Sequence, residues 1–145
     1  KTIEGREEGA PPPVDLNAEK RAGTLVRELI ELGVVKTCHD IADGGLLVTV
    51  AEMCMAGKIG ADVSLPEQGS EAAWLFGEDQ GRYVIATSDP DKVLNAAASA
   101  NVAAVIVGQI GGDAISIEGD AKVSVSDLRD LNEGWMPSFM ADAVQ

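Results

Sequence analysis

His39-Asp40-Ile41-Ala42-Asp43-Gly44-Gly45-Leu46 sits between two segments of opposite character, and its reading settles what kind of chain this is. Before it, Val34-Val35-Lys36-Thr37-Cys38 is a short β-rich run; after it, Leu46 to Ala56 is apolar except at Thr49 and Glu52. The order predicts a strand, a tight turn, and a helix buried on most sides that Gly57 ends. Glycines in such a turn let the backbone bend sharply and come close to another group. A helix start also presents unpaired N–H groups and a partial positive charge, so an anion or an oxygen-rich ligand is stabilised there. The other reading is a plain turn in which Asp43 caps the helix, worth about 1 kcal/mol. The glycine spacing matches neither a dinucleotide-binding fingerprint nor a phosphate-binding loop with its lysine.

Working outward, Glu7 to Leu16 lacks periodicity, and Pro11-Pro12-Pro13 imposes an extended, semi-rigid backbone, so this part reads as a linker. Ile3-Glu4-Gly5-Arg6 also matches a protease recognition site used between fused proteins. Asp15 or Asn17 caps a helix whose inner face carries Ala18, Ala22, Leu25, Val26, Leu29 and Ile30, and Gly33 stops it. Ala61 to Leu65 alternates as a strand closed by Pro66, and Tyr83 to Thr87 forms another. Ser88-Asp89-Pro90 starts a helix carrying Val93, Leu94 and Ala97. Ala103 to Val107 reads as a fully buried strand. The alternation of Ile115 and Ile117, then Val123 and Val125, gives a hairpin with Gly119-Asp120 at its turn. Asp127 to Trp135 reads as a last short helix before Met136-Pro137. Five or six short strands mixed with helices, including a hairpin near the end, give an α/β (α+β) fold with a mixed β-sheet packed against helices.

The formal net charge is −13, and the Lys and Arg residues form no cluster able to track a phosphate backbone. Nucleic acid and anionic membrane are thereby poor partners. No apolar run reaches membrane-spanning length and the first residues carry no secretory pattern, so a soluble, cytoplasmic protein is expected. Cys38 and Cys54 lie in apolar segments without metal-ligand spacing and are expected to be free thiols.

The second polar signal is Phe76-Gly77-Glu78-Asp79-Gln80-Gly81-Arg82, directly before a strand. Two glycines flank a polar trio, and the arginine leads into the sheet, which aims several hydrogen-bonding groups at one rim. The alternative is a loop in which Arg82 pairs with Glu78 or Asp79. His39, the only histidine, cannot build a multi-histidine metal site and is expected to be structural or a ligand contact. No nucleophile and no metal site is identifiable. The candidate cleft residues are Asp43, Gly44, Gly45, Glu78, Gln80 and Arg82.

These segments, with Pro11-Pro12-Pro13-Val14-Asp15-Leu16 before them, Ala51-Glu52-Met53 down the second helix and Leu131-Asn132-Glu133-Gly134-Trp135-Met136-Pro137-Ser138-Phe139-Met140 at the end, resemble one family. In order and spacing they are similar to the carboxy-terminal domain of the phosphoribosylformylglycinamidine synthase large subunit, within the aminoimidazole ribonucleotide (AIR) synthetase-related superfamily. Gly5-Arg6-Glu7-Glu8-Gly9 resembles the end of the preceding domain in that family, which favours native sequence over a fusion remnant. Residues 1–15 are then linker and the end of a preceding domain, and 16–145 the AIR synthase-related carboxy-terminal domain. Two departures remove a hydroxyl from each motif: Ala42 and Asp79 stand where the family usually or often shows serine.

The resemblance implies a part of a purine-biosynthetic ligase. It would use ATP and glutamine-derived ammonia to convert formylglycinamide ribonucleotide to formylglycinamidine ribonucleotide. It implies ATP and Mg2+ as cofactors of the whole enzyme, with none certain for this domain alone. The implied partners are the preceding nucleotide-binding domain, a glutaminase subunit and a small bridging subunit. The family's catalytic residues lie upstream, so this domain is expected to be inactive alone and to supply one wall of the nucleotide and substrate cleft. Two alternatives stand beside this reading: a purely structural or interaction module, and a domain of another ATP-dependent superfamily member such as thiamine-monophosphate kinase.

Overall fold

The computed structural model describes residues 14–142; all but the last two residues of the expected linker, 1–15, lie outside them. Helix α1 spans Leu16–Glu31, and the Asp15 carboxylate caps it by accepting from Asn17 N and Ala18 N, both at 3.0 Å. Leu25 and Leu29 form its buried stripe, whereas Ile30, expected on that face, is exposed. Gly33 takes a left-handed φ of +68° past the helix end, as its sequence position suggests. Strand β1, Thr37–Asp40, lies further along the chain than Val34 to Cys38: His39 and Asp40 belong to the strand, and Val35 is a core residue ahead of it.

Helix α2 spans Gly45–Gly57, followed by β2 (Ala61–Val63), α3 (Glu71–Phe76) and β3 (Tyr83–Ala86). Helix α3 is an addition to the expected elements. It begins at Ser70, whose Oγ accepts from Ala73 N, so a capping serine before Glu71-Ala72-Ala73-Trp74-Leu75 marked it. Helix α4 (Pro90–Ser99) starts as expected at Asp89, with proline in its first turn. Strands β4 (Gly108–Ile110), β5 (Ala114–Ile117) and β6 (Asp120–Ser124) lead into α5 (Val125–Asp142).

The six strands form two sheets: β1 pairs antiparallel with β3, and the other four lie in the order β4-β2-β5-β6. In the larger sheet β2 runs parallel to β5 and antiparallel to β4, so it is mixed, as the sequence implied. The expected buried strand at Ala103 to Val107 does not form; Val105 and Ile106 are exposed, and the strand begins at Gly108. The facing chain explains this. Ser64 N still donates to Val107 O, but Leu65 N donates to the Glu118 carboxylate, and Pro66 has no N–H to continue the ladder. The hairpin turn sits one residue earlier than expected, at Glu118-Gly119, with φ of 50° and 79° at its two central positions. Helix α5 is longer than the expected Asp127 to Trp135 and runs through Pro137.

Two apolar clusters hold these elements. One gathers Leu46, Val50 and Cys54 of α2 with Val63, Leu75, Val84, Ile115 and Val125; the other packs Leu25 and Leu29 of α1 against Val35, Val93 and Ala97. The small β1-β3 sheet joins them, since Val84 belongs to the first while Cys38 and Ile85 pack against the second.

Candidate functional site

The antiparallel pairing of β1 with β3 brings the two polar motifs together, although they are about forty residues apart in the chain. Asp40 lies opposite Tyr83, and one rung further Ile41 N donates to Arg82 O at 2.9 Å. The turn that leaves β1 and the loop that enters β3 therefore run side by side. A cleft of about 360 Å³ opens between them, lined by Asp40, Asp43, Glu78, Gln80, Arg82 and, from the first helix, Glu19. Of the six candidates, Asp43, Glu78, Gln80 and Arg82 line this cleft; Gly44 and Gly45 lie behind it.

The start of α2 shows why. Its cap is Gly44, at φ +84°, and not Asp43; Gly44 has no side chain to offer. The carboxylate of Glu78, from the other motif, accepts from Gly44 N at 2.8 Å and ties that motif to the turn ahead of α2. A carboxylate of the chain itself thus stands beside this helix start, where the partial positive charge favours it. Gly45 N donates to Ala42 O at 3.1 Å, so the amides of both glycines are already paired. Gly45 is buried, at φ +73°, and a Cβ there would lie 2.6 Å from Phe76 C and Cα. Its lack of a side chain lets the start of α2 and the end of α3 touch.

Arg82 is equally committed. Its guanidinium donates to Gly77 O and to Asp79 O, and it stands 3.8 Å from an Asp79 carboxylate oxygen. It braces its own loop, whereas Asp43 and Gln80, like Asp40 and Tyr83 beside them, are exposed at the rim and make no side-chain hydrogen bond among the described residues. Glu19 was not evident from sequence. Its Oε1 is buried and without a hydrogen-bond partner among the described residues, while its Cγ would lie 2.5 Å from a Cβ on Gly81. No local pattern in α1 announced this, because the contact is made by the fold.

The sequence model of the AIR synthase related protein, C-terminal domain, matches residues 2–119. The chain belongs to this family. It is 50% identical to the phosphoribosylformylglycinamidine synthase subunit PurL of Methylocella silvestris over 97% of its own length, and 51% identical to that of Rhodospirillum rubrum over 96%. The chain spans only 19% of the length of these relatives. A structure of Thermotoga maritima PurL complexed with FGAR superimposes on 86% of the chain and 23% of its own, with a TM-score of 0.70 at 23% identity, a likeness of fold.

Within this AIR synthase related domain, the remaining polar groups lie apart from the cleft lining. His39 donates from Nδ1 to Asp40 O at 2.7 Å, and its Nε2 is 3.4 Å from a Glu52 carboxylate oxygen on α2. No cluster of three or more His, Cys, Asp or Glu able to hold a metal occurs among the described residues. Burial raises both thiols, Cys38 and Cys54, above the ordinary value, with Asp40 adding to the effect at Cys38. Both are free, and protonated at neutral pH neither offers a thiolate nucleophile. No helix among the described residues is long and apolar enough to cross a membrane.

Proposed function

We propose that this domain is the carboxy-terminal domain of a phosphoribosylformylglycinamidine synthase large subunit and forms one wall of its nucleotide and substrate cleft. The observation that carries the reading is identity of about half to PurL subunits over nearly the whole chain. The cleft built by its two polar motifs supports the role within the enzyme. The reaction is an ATP- and glutamine-dependent amidation of formylglycinamide ribonucleotide in purine biosynthesis, carried out in the cytoplasm. The preceding nucleotide-binding domain, the glutaminase subunit and a small bridging subunit are its partners.

The domain's own contribution is steric and polar. The Glu78 carboxylate fixes the start of α2 against the second loop, Arg82 stiffens that loop, and Asp43 and Gln80 are left at the rim to meet hydroxyl or amide groups of a ligand. ATP and Mg2+ are cofactors of the whole enzyme; among the described residues no cluster of three or more metal-ligating side chains forms an all-protein site, and a magnesium ion accompanying ATP keeps phosphate and water oxygens as most of its ligands. The isolated domain, which spans only about a fifth of the length of the synthase subunits it resembles, is inactive without the rest of the cleft.

Two preparations test this. The purified chain given ATP, Mg2+, ammonia and formylglycinamide ribonucleotide should show no turnover, and the full-length polypeptide containing it should form the amidine. Turnover by the chain alone, abolished by a substitution within it, contradicts the cleft-wall role; a full-length polypeptide inert toward this substrate contradicts the synthase reading.

A further inference from the structure

Helix α5 leaves the domain with an apolar stripe that nothing among the described residues covers. Leu128, Leu131, Trp135 and Phe139 follow at spacings of three and four, which places them on one face. Leu128 packs against the core, but beyond it Leu131 is 74% exposed, Trp135 61% and Phe139 56%, with Met136 and Met140 beside them at 54% and 57%. The Trp135 and Phe139 rings stack on each other, with centroids 5.3 Å apart. Arg129 and Glu133, which form a bidentate pair, mark the polar side of the same helix. An exposed apolar stripe of this size, on the order of several hundred Å², marks an interaction site.

Two facts narrow the occupant. The match to the AIR synthase related family ends at residue 119, before α5 begins at Val125, whereas the match to the PurL subunit of M. silvestris covers 97% of the chain and so takes in this helix. The stripe therefore lies on an addition to the shared domain that accompanies the synthase relatives. Its composition is that of a surface covered permanently, since partners that come and go meet more polar faces. Those relatives also carry about four-fifths of their length outside the matched part.

We infer that the Leu131-Trp135-Phe139 face of α5 docks into an apolar groove provided by the rest of its own longer polypeptide, as a helix-in-groove clasp that fixes the domain within the synthase. This rests on the synthase reading, and the test separates the two. Hydrogen exchange of residues 131–140 is compared between the 145-residue chain and the full-length polypeptide, alongside the Tm of each with Leu131→Asp/Phe139→Asp. Docking predicts exchange at least about ten-fold slower in the full-length polypeptide. It also predicts that the double substitution lowers Tm and abolishes this protection there, while leaving the Tm of the short chain unchanged. Equal exchange in both, in a full-length polypeptide that amidates formylglycinamide ribonucleotide, overturns the docking and spares the reading. Protection without that activity does the reverse. Protection already present in the short chain overturns the proposal too: dependence on protein concentration would identify a second copy as the occupant, and loss on removing residues 1–13 would identify the chain's own amino-terminal segment.

Discussion

At Gly45 the backbone does what a side chain would prevent. The residue is buried at a left-handed φ of +73°, and an added Cβ would meet the Phe76 backbone at 2.6 Å, with little prospect of that backbone giving way. Strain and overpacking together predict that Gly45→Ala destabilises the fold by roughly 2–5 kcal/mol. Chemical denaturation of the two proteins checks it, and a midpoint equal to that of the parent would show that the start of α2 and the end of α3 do not press together. The glycine pair was legible in the sequence as a close approach of backbone. What the sequence did not disclose is which partner approaches: Phe76 at the end of α3, while Asp43 and Gln80 line the cleft. Nor could it disclose that Glu78 accepts from Gly44 N, because a bond supplied from thirty-four residues away leaves no local pattern.

Among the elements, the larger sheet is fastened at Asp62 of β2. Its carboxylate accepts from Ser116 Oγ on the parallel neighbour β5 and, at 2.8 Å, from Gly119 N in the hairpin turn. The Ser116 hydroxyl first, then the Gly119 amide, hold this carboxyl below its ordinary value of 3.8. A carboxyl depressed on folding stabilises the protein above its unfolded-state pKa, and this stabilisation is lost as pH falls through the folded-state value. Asp62→Asn should therefore lower Tm at neutral pH, and the gap to the parent should close as the pH drops below about 3.8. Thermal melts across that range decide it; a gap that stays constant into acid would show that the charge of Asp62 contributes nothing. Elements with local start and stop chemistry, such as α1 and α4, were readable from their capping aspartates. Val105 and Ile106 misled for the opposite reason. An apolar run reads as a buried strand, but whether it pairs depends on Leu65 and Pro66 in the facing segment.

For the whole molecule, the fold serves to set two loops edge to edge. The clusters around α2 and around α1 meet across the β1-β3 pair, and the cleft opens at the end of that pair, with α1 contributing Glu19 to its wall. The mixed sheet and the existence of a polar turn before a buried helix could be read from residue patterns. The cleft itself could not, because it arises from the register of β1 on β3, which no single segment encodes. Stability and ligand contact should then separate cleanly between the residues behind the cleft and those at its rim. The most direct test is steady-state kinetics of the full-length polypeptide with Asp43→Ala/Gln80→Ala, measured with its Tm on the same preparation. A cleft wall predicts an unchanged Tm with KM for formylglycinamide ribonucleotide or for ATP raised roughly ten-fold or more; parental KM and kcat for both substrates would contradict it.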